Sequence, residues 1–393
     1  MSPEENYKLC PVCLERISKE FDEIGEDEKC DICDNILMHK DKVYQLIYNK
    51  IHRLQLEFNT FHISCYVNYD KLNNNEKNVH KIVNYKGSNG LKKELRKYLE
   101  KKISEKLDKT IDYKNPEVII EIKIRKKDYP YNPYPEIKNL KVFIDSNPLF
   151  IEGKYRKLER GIPQTKWPCT KCKGKGCPEC NNTGQQYQYT VEGLIGKHLL
   201  PMTKGKSIKF HGSGREDIDV LMLGEGRPFV IEVKHPFKRN IDLKFLRRVV
   251  NSHSDGKIEI NDLKFVDNNR RASIKNSSTE SYKIYSAIAE FENGITSQDI
   301  KNIEKLEKIE QRTPTRVSHR RADKIRTRKI YKINAERINS KKLRLTIKCQ
   351  GGLYIKELIS GDNKRTTPSI TSITDNPAKC TQLDVLKVHI PNQ

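Results

Sequence analysis

Residues 213–235 read SGREDIDVLMLGEGRPFVIEVKH, and two incompatible enzymes can be read from them. In one, the triplet Arg215-Glu216-Asp217 presents a lone carboxylate nucleophile in front of strand-like apolar runs. In the other, Asp219, Glu232 and Lys234 follow the nuclease spacing D…E-x-K, two carboxylates to hold a divalent cation and a lysine to steer the attacking water. The second pattern needs only three common residue types, and a chain with 75 Lys and Arg and 52 Asp and Glu supplies such spacings by chance. The choice falls to the rest of the chain.

The chain has 393 residues, more than the roughly 250 that a single core usually organises, so two or three domains are expected. Its formal charge is +23. The basic residues are spread through segments that keep regular apolar periodicity, which argues against disorder and for a polyanionic partner, nucleic acid foremost. The N-terminal MSPEENYKLC carries charges where a secretory leader would be apolar, and no run approaches the ~18 apolar residues of a membrane span. A soluble, cytoplasmic protein with no membrane association and no obligatory protein partner is expected.

Eight of the 11 cysteines fall in C-x-x-C pairs, a pattern of metal sites rather than disulfides. Cys10, Cys13, Cys30 and Cys33 form C-x2-C-x16-C-x2-C, in which two tight knuckles each offer two thiolates to one tetrahedral zinc. Cys169, Cys172, Cys177 and Cys180 form C-x2-C-x4-C-x2-C, with Gly174 and Gly176 letting the chain fold back, and a second structural zinc is expected there. Cys65, Cys349 and Cys380 read as small core residues.

In residues 91–107, LKKELRKYLEKKISEKL, apolar residues recur every fourth position from Leu91 to Leu107, which predicts an amphipathic helix with a basic outer face. PEVIIEIKI and NLKVFIDS follow as strands around the Pro/Tyr-rich turn DYPYNPYPE. LIYNKIHRLQLEF has mixed spacing, and FHISCYV reads as a strand. Beyond the second cysteine set, TVEGLIGKHLLPM predicts a helix capped by Thr190. SIKFHG, DIDVLML, PFVIEV, YKIYSAIAEF, KIYKINAE, KLRLTIKCQGG and QLDVLKVHI then read as strands, with helices near 241–251 and 297–310. Many strands with few helices between them imply an α+β, multidomain protein whose C-terminal half holds a mixed, largely antiparallel sheet flanked by helices. The expected divisions are a zinc-binding region at 1–70, an α/β module at 71–165, a cysteine knuckle at 166–184 and a catalytic domain at 185–393.

Arg215-Glu216-Asp217, a tyrosine on a strand and Gly-x-Tyr-Ile-Lys-x-Leu at Gly352 to Leu358 resemble the three sequence motifs of the pseudouridine synthases. The longer strings GREDIDVLMLGEGRPFVIEV, RTPTRVSHRRAD, GLYIKELISGD and RGIPQTKWPC resemble one family, the archaeal-type tRNA pseudouridine synthase acting on uridines 54 and 55 of the TΨC loop. The resemblance spans most of the chain. It implies an N-terminal zinc-binding region with a THUMP-containing tRNA-binding module, a C-terminal catalytic domain, tRNA as partner and no catalytic cofactor. Leu221 departs from the family, which usually carries arginine there.

By that resemblance Asp217 is the nucleophile, Arg215 aids base extrusion or phosphate positioning, and Tyr331 stacks on the uracil and can accept its C5 proton. A carboxylate closed under a base loses hydration and needs a cation to stay ionised, a part given to Lys356. Leu358 is expected to pack beneath the site and Tyr354 to contact substrate. Residues 312–348 hold 14 Lys or Arg against 2 acidic residues, so Arg320, Arg321, Arg326, Arg328 and Lys329 are expected to grip RNA phosphates. Two other readings stay open at this point, the metal-dependent nuclease and a zinc-bearing RNA-binding protein without catalysis.

Overall fold

The computed structural model describes residues 6–83, 90–276 and 281–390, without the side chains at 275, 276 and 320. It divides into two compact units, one of residues 1–148 with 203–206 and 234–240, the other of 149–202, 207–233 and 241–393.

The first unit contains β1 (Lys8–Leu9), α1 (Pro11–Arg16), β2 (Asp22–Glu23), α2 (Lys40–Leu54), β3 (Thr60–Asn68), α3 (Asp70–Ile82), α4 (Leu91–Leu107), β4 (Thr110–Ile111), β5 (Val118–Arg125) and β6 (Leu140–Ser146). Its main sheet runs β4-β3-β5-β6, parallel from β4 to β5 and antiparallel at β6. The strict alternation of β5, apolar at every second residue, buries Val118, Ile120, Ile122 and Ile124. On the predicted α4 the four-residue rhythm buries Leu91, Leu95, Leu99 and Ile103. The mixed stretch before FHISCYV proves to be the end of α2, which buries Val43, Tyr44, Ile47 and Ile51. The division expected at 70/71 separates no cores, because the first cysteine set, β3 and β5 share one apolar cluster.

The second unit contains β7 (Leu149–Lys157), α5 (Val191–Thr203), β8 (Ser207–Gly212), β9 (Leu221–Lys234), α6 (Leu243–Ser252), β10 (Ile258–Val266), α7 (Asn268–Asn276), β11 (Tyr282–Phe291) and α8 (Ser297–Glu304). It continues through β12 (Lys308–Arg312), β13 (Ile325–Asn339), β14 (Lys342–Gln350), α9 (Ile355–Ser360), β15 (Thr366–Thr367), α10 (Ile370–Thr374) and β16 (Ala378–His389). These build a ten-stranded sheet in the order β10-β7-β9-β16-β11-β14-β13-β12-β15, with β8 on β9. Among the described strand pairs with an assigned register, only β16 and β9 run in parallel, so the sheet is mixed and largely antiparallel, as expected.

Three sequence expectations shift here. The boundary expected at 165/166 moves to 148/149, because β7 pairs with β9 and β10 and so belongs to the catalytic sheet. The helix expected at 297–310 stops at Glu304, and residues 308–312 instead join β13 as a strand. DIDVLML is a strand only from Leu221 onward; Asp217 to Val220 form a turn closed by the Val220 amide donating to the Asp217 carbonyl at 3.1 Å. Thr190 caps α5 as predicted, its hydroxyl accepting from the Gly193 amide at 2.8 Å. Among the described residues, no helix is long and apolar enough to cross a membrane.

Candidate active site

The turn that carries Asp217 enters β9, and a buried polar network fixes its shape. Glu216, the middle residue of the triplet, points inward. Its carboxylate accepts from Arg227 Nε at 2.8 Å and from the Tyr155 hydroxyl at 2.8 Å. Arg227 also donates to the Ser213 carbonyl at 2.8 Å, and Gln164 donates to the Gly214 carbonyl at 3.1 Å. The Lys157 ammonium, fully buried, donates to the carbonyls of Ile162, Asp217 and Ile218 at 2.9, 3.1 and 3.1 Å. Burial pushes its pKa down to about 8, with Glu216 working in the other direction. The two neighbours of Glu216 in the triplet, Arg215 and Asp217, both reach a cleft.

This cleft has a volume of about 530 Å³, within the range of small-molecule sites. Besides Arg215 and Asp217 its lining includes Trp167, Tyr285, Arg316, Tyr354 and Lys356. Tyr285 comes from β11 and Val385 from β16, and those two residues are register partners at the sheet's centre.

Asp217 has two cationic neighbours. Arg316 lies nearest, its Nη1 donating to Asp217 Oδ2 at 2.8 Å, and Lys356 Nζ stands 3.7 Å from the same oxygen. The guanidinium is itself aimed by Glu357 of α9, which accepts from its Nε at 2.5 Å and from Nη2 at 3.4 Å. Burial alone would lower the Arg316 pKa, but Glu357 and Asp217 outweigh it and hold the group above the ordinary arginine value. Lys356 donates chiefly to Asp219, at 2.7 and 3.0 Å. Burial would raise the Asp219 pKa, yet Lys356 holds it below the usual carboxylate range. Lys356 thus serves two carboxylates, and the role of principal partner to Asp217 passes to Arg316. Arg316 stands 99 residues from Asp217 in sequence, inside RTPTRVSHRRAD, a string already singled out.

The other expected site residues divide. Arg215, Tyr354 and Arg321 line the cleft, with the Arg215 guanidinium 5.0 Å from the centre of the Trp167 ring. Leu358 is fully buried in the core of the unit, on α9. Tyr331 is not among the described cleft-lining residues: it sits on β13, 52% exposed, at an irregularity in the pairing with β14. The strand tyrosine that the fold brings to the cleft is Tyr285, and burial raises the pKa of its hydroxyl. Arg326 donates to Thr313 Oγ1 at 3.0 Å, Arg328 to the Thr327 carbonyl at 2.7 Å, and Lys329 is exposed. The Arg320 side chain lies outside the described residues.

The nuclease reading fails on geometry. Asp219 precedes β9, whereas Glu232 lies near the far end of this 14-residue strand, and roughly 3.3 Å per residue puts the two carboxylates beyond the reach of a shared cation. Glu232 is buried and accepts from His211 at 2.9 Å and Arg271 at 3.1 Å. Lys234 is the last residue of that strand, two residues beyond Glu232.

Both cysteine sets are gathered, each with its four sulfurs within 4.8 Å of one another. The Cys10–Cys33 separation is 3.6 Å, and those in the second set include 3.6, 3.8 and 3.9 Å. Such spacings are too long for disulfides and match the roughly 3.8 Å edge of a tetrahedron built on 2.3 Å zinc–sulfur bonds. In the second set, the amides of Gly176, Cys177 and Gly184 each donate to a sulfur at 3.2 Å, as they would to thiolates. Either tetrad could hold a structural zinc.

Comparison with known proteins agrees with this architecture. The family model described as Pus10, C-terminal, matches residues 150–389, and that of the archaeal Pus10 THUMP domain matches residues 47–123. A tRNA pseudouridine synthase Pus10 of Methanosphaera stadtmanae is 67% identical over 98% of this chain and 97% of its own length. Its namesake in Methanothermobacter marburgensis is 40% identical over 98% of this chain and 96% of its own. That of Methanocaldococcus jannaschii is 42% identical over 93% and 77%. A solved Cbf5-Nop10-Gar1 complex contributes a match at 16% identity, over 60% of this chain and 48% of that one, with a TM-score of 0.33, too slight to carry an argument. The class so defined is the pseudouridine synthases, which are isomerases. Within it the chain belongs to the archaeal-type Pus10 family, THUMP region included.

Proposed function

We propose that this protein isomerises uridine to pseudouridine in the TΨC loop of tRNA, at position 54, 55 or both, with Asp217 as the reacting carboxylate. The observation that carries the reading is the placing of Asp217 in the cleft, 2.8 Å from Arg316 and in the company of Tyr285. The reaction breaks the N1–C1′ bond, turns the uracil and joins C5 to C1′, so no atoms or electrons are gained or lost. It needs one ionised carboxylate, a surface against which the freed base can turn, and a proton acceptor for C5.

Arg316 and Lys356 set positive charge beside the Asp217 carboxylate, offsetting the cost of its lost hydration as the base enters and water leaves. Tyr285 takes the part the sequence had given to Tyr331, stacking on the uracil and standing close to its C5 proton. Arg215 meets the entering nucleotide, and Arg321, with Arg326, Arg328 and Lys329, faces RNA phosphates near the cleft. The two cysteine tetrads hold structural zinc that fixes their loops and takes no part in the chemistry, and the enzyme works in the cytoplasm.

The direct test is tritium release from an unmodified TΨC stem-loop labelled at uracil C5, and a chain that binds this RNA without releasing tritium would sink the reading. Tyr285→Phe should lower turnover by about a hundredfold and Tyr331→Phe by less than twofold, since only the first lines the cleft. A reversed order would return the role to Tyr331. Elemental analysis should find two zinc ions per chain, falling to one in either Cys13→Ser or Cys172→Ser. A metal-free chain that folds normally would remove zinc from the account.

A further inference from the structure

Trp167 is the only tryptophan in the chain, and it stands at the cleft two residues before the first thiol of the second cysteine set. Its ring is half-buried, with the Arg215 guanidinium 5.0 Å from its centre and the Tyr187 ring edge-on at 5.6 Å. Its backbone belongs to the stem of the cysteine knuckle. The Trp167 carbonyl accepts from the Gln186 amide at 2.9 Å, Pro168 and Gln185 form a bridge, and the Cys169 amide donates to the Gly184 carbonyl at 2.8 Å.

The knuckle has little else to hold its shape. Among the described residues, none between 163 and 190 contributes a side chain to any of the apolar clusters. A loop without an apolar core keeps one shape only when it is cross-linked, and four thiolates on one metal are such a cross-link. Meanwhile a large indole kept half-exposed beside a cationic cleft has a specific use: aromatic faces and guanidinium planes are what unpaired RNA bases stack on.

We propose that Trp167, faced by Arg215 and held in place by the second cysteine knuckle, is the stacking platform for an unpaired nucleotide at the cleft. Metal loading of the knuckle then sets RNA affinity through the position of this ring. The proposal rests on the reading of the cleft as a uridine-isomerising site, but its test reads binding separately from chemistry.

The probe is a TΨC-type RNA stem-loop, with binding followed by anisotropy of a label on the RNA and by the protein's own indole emission. Saturating RNA should quench the emission, because the stacked base lies against the one fluorescent indole. Trp167→Phe should bind within about threefold of the parent, whereas Trp167→Ala should bind about 5- to 100-fold more weakly, the range for losing one stacked base. Its zinc content and melting temperature should stay unchanged. Cys172→Ser should lose one zinc, shift the emission to the red and weaken binding as much as Trp167→Ala does.

Unquenched emission at saturation, or Trp167→Ala binding within twofold of the parent, would overturn the platform. Unchanged emission and affinity in zinc-depleted Cys172→Ser would overturn the coupling. Tritium release by the parent chain is measured in parallel: quenching without release would count against the isomerase reading and leave the platform standing.

Discussion

Asp217→Asn should abolish turnover while leaving RNA binding within about threefold of the parent. Asparagine has the same shape and still offers Arg316 an oxygen at the 2.8 Å position, so the cleft should survive the change. What disappears is the anion, and loss of a group that reacts covalently costs at least about a thousandfold in rate. Asp219→Asn is the control, because that carboxylate is neutralised by Lys356 and its change should cost no more than about tenfold. Single-turnover tritium release separates the two. An Asp217→Asn enzyme retaining a tenth of the parent rate would show that the reacting group lies elsewhere.

Arg227→Ala should be the most destabilising of the site variants, although Arg227 is almost wholly sealed from solvent and its guanidinium meets Asp217 nowhere in the hydrogen-bond pattern. The change strips Glu216 of its closest cation and leaves more distant ammonium groups, Lys157 at 4.0 Å among them, to balance a buried carboxylate. Breaking a buried pair in this way costs about 3–5 kcal/mol, which for a unit of this size lowers the melting temperature by roughly 6–20 °C. Part of that loss should return in the double variant Arg227→Met with Glu216→Gln, where no charge is left stranded. Arg316→Ala, at a partly exposed position, should melt within a few degrees of the parent while losing activity. If Arg227→Ala melted like the parent, the buried network would not be what shapes the Asp217 turn.

The sequence shows its local regularities plainly and its long-range pairings hardly at all. The four-residue rhythm of Leu91 to Ile103 and the thiol spacings are written within short windows, and both are borne out by the geometry. Asp217 was legible as a member of a motif, yet the turn around it looked like a strand, because Ile218 and Val220 alternate with aspartates as strand residues do. Choosing between Tyr285 and Tyr331 needs the strand order. Both sit on β-strands with basic neighbours, and only the sheet reveals that β11 lies next to β16 at the cleft while β13 lies two strands beyond β11. The motif resemblance names Lys356 as the cation beside Asp217, and Lys356 does stand 3.7 Å from it; Asp219 takes its closer hold, and Arg316, positioned by Glu357, stands nearer Asp217. No local pattern announces Glu357 as an orienting group, since a glutamate in the first turn of a short helix is ordinary.

The insertion of β16 between β9 and β11 has a consequence for biosynthesis. Residues 378–389 leave the ribosome after the other described strands of this sheet, yet they occupy its middle and pair in parallel with β9. Until they arrive, a nascent polypeptide holds two open strand edges facing each other across a gap, the kind of surface that invites aggregation or chaperone capture. A premature stop codon before residue 378 would therefore leave the catalytic half unclosed rather than merely shortened.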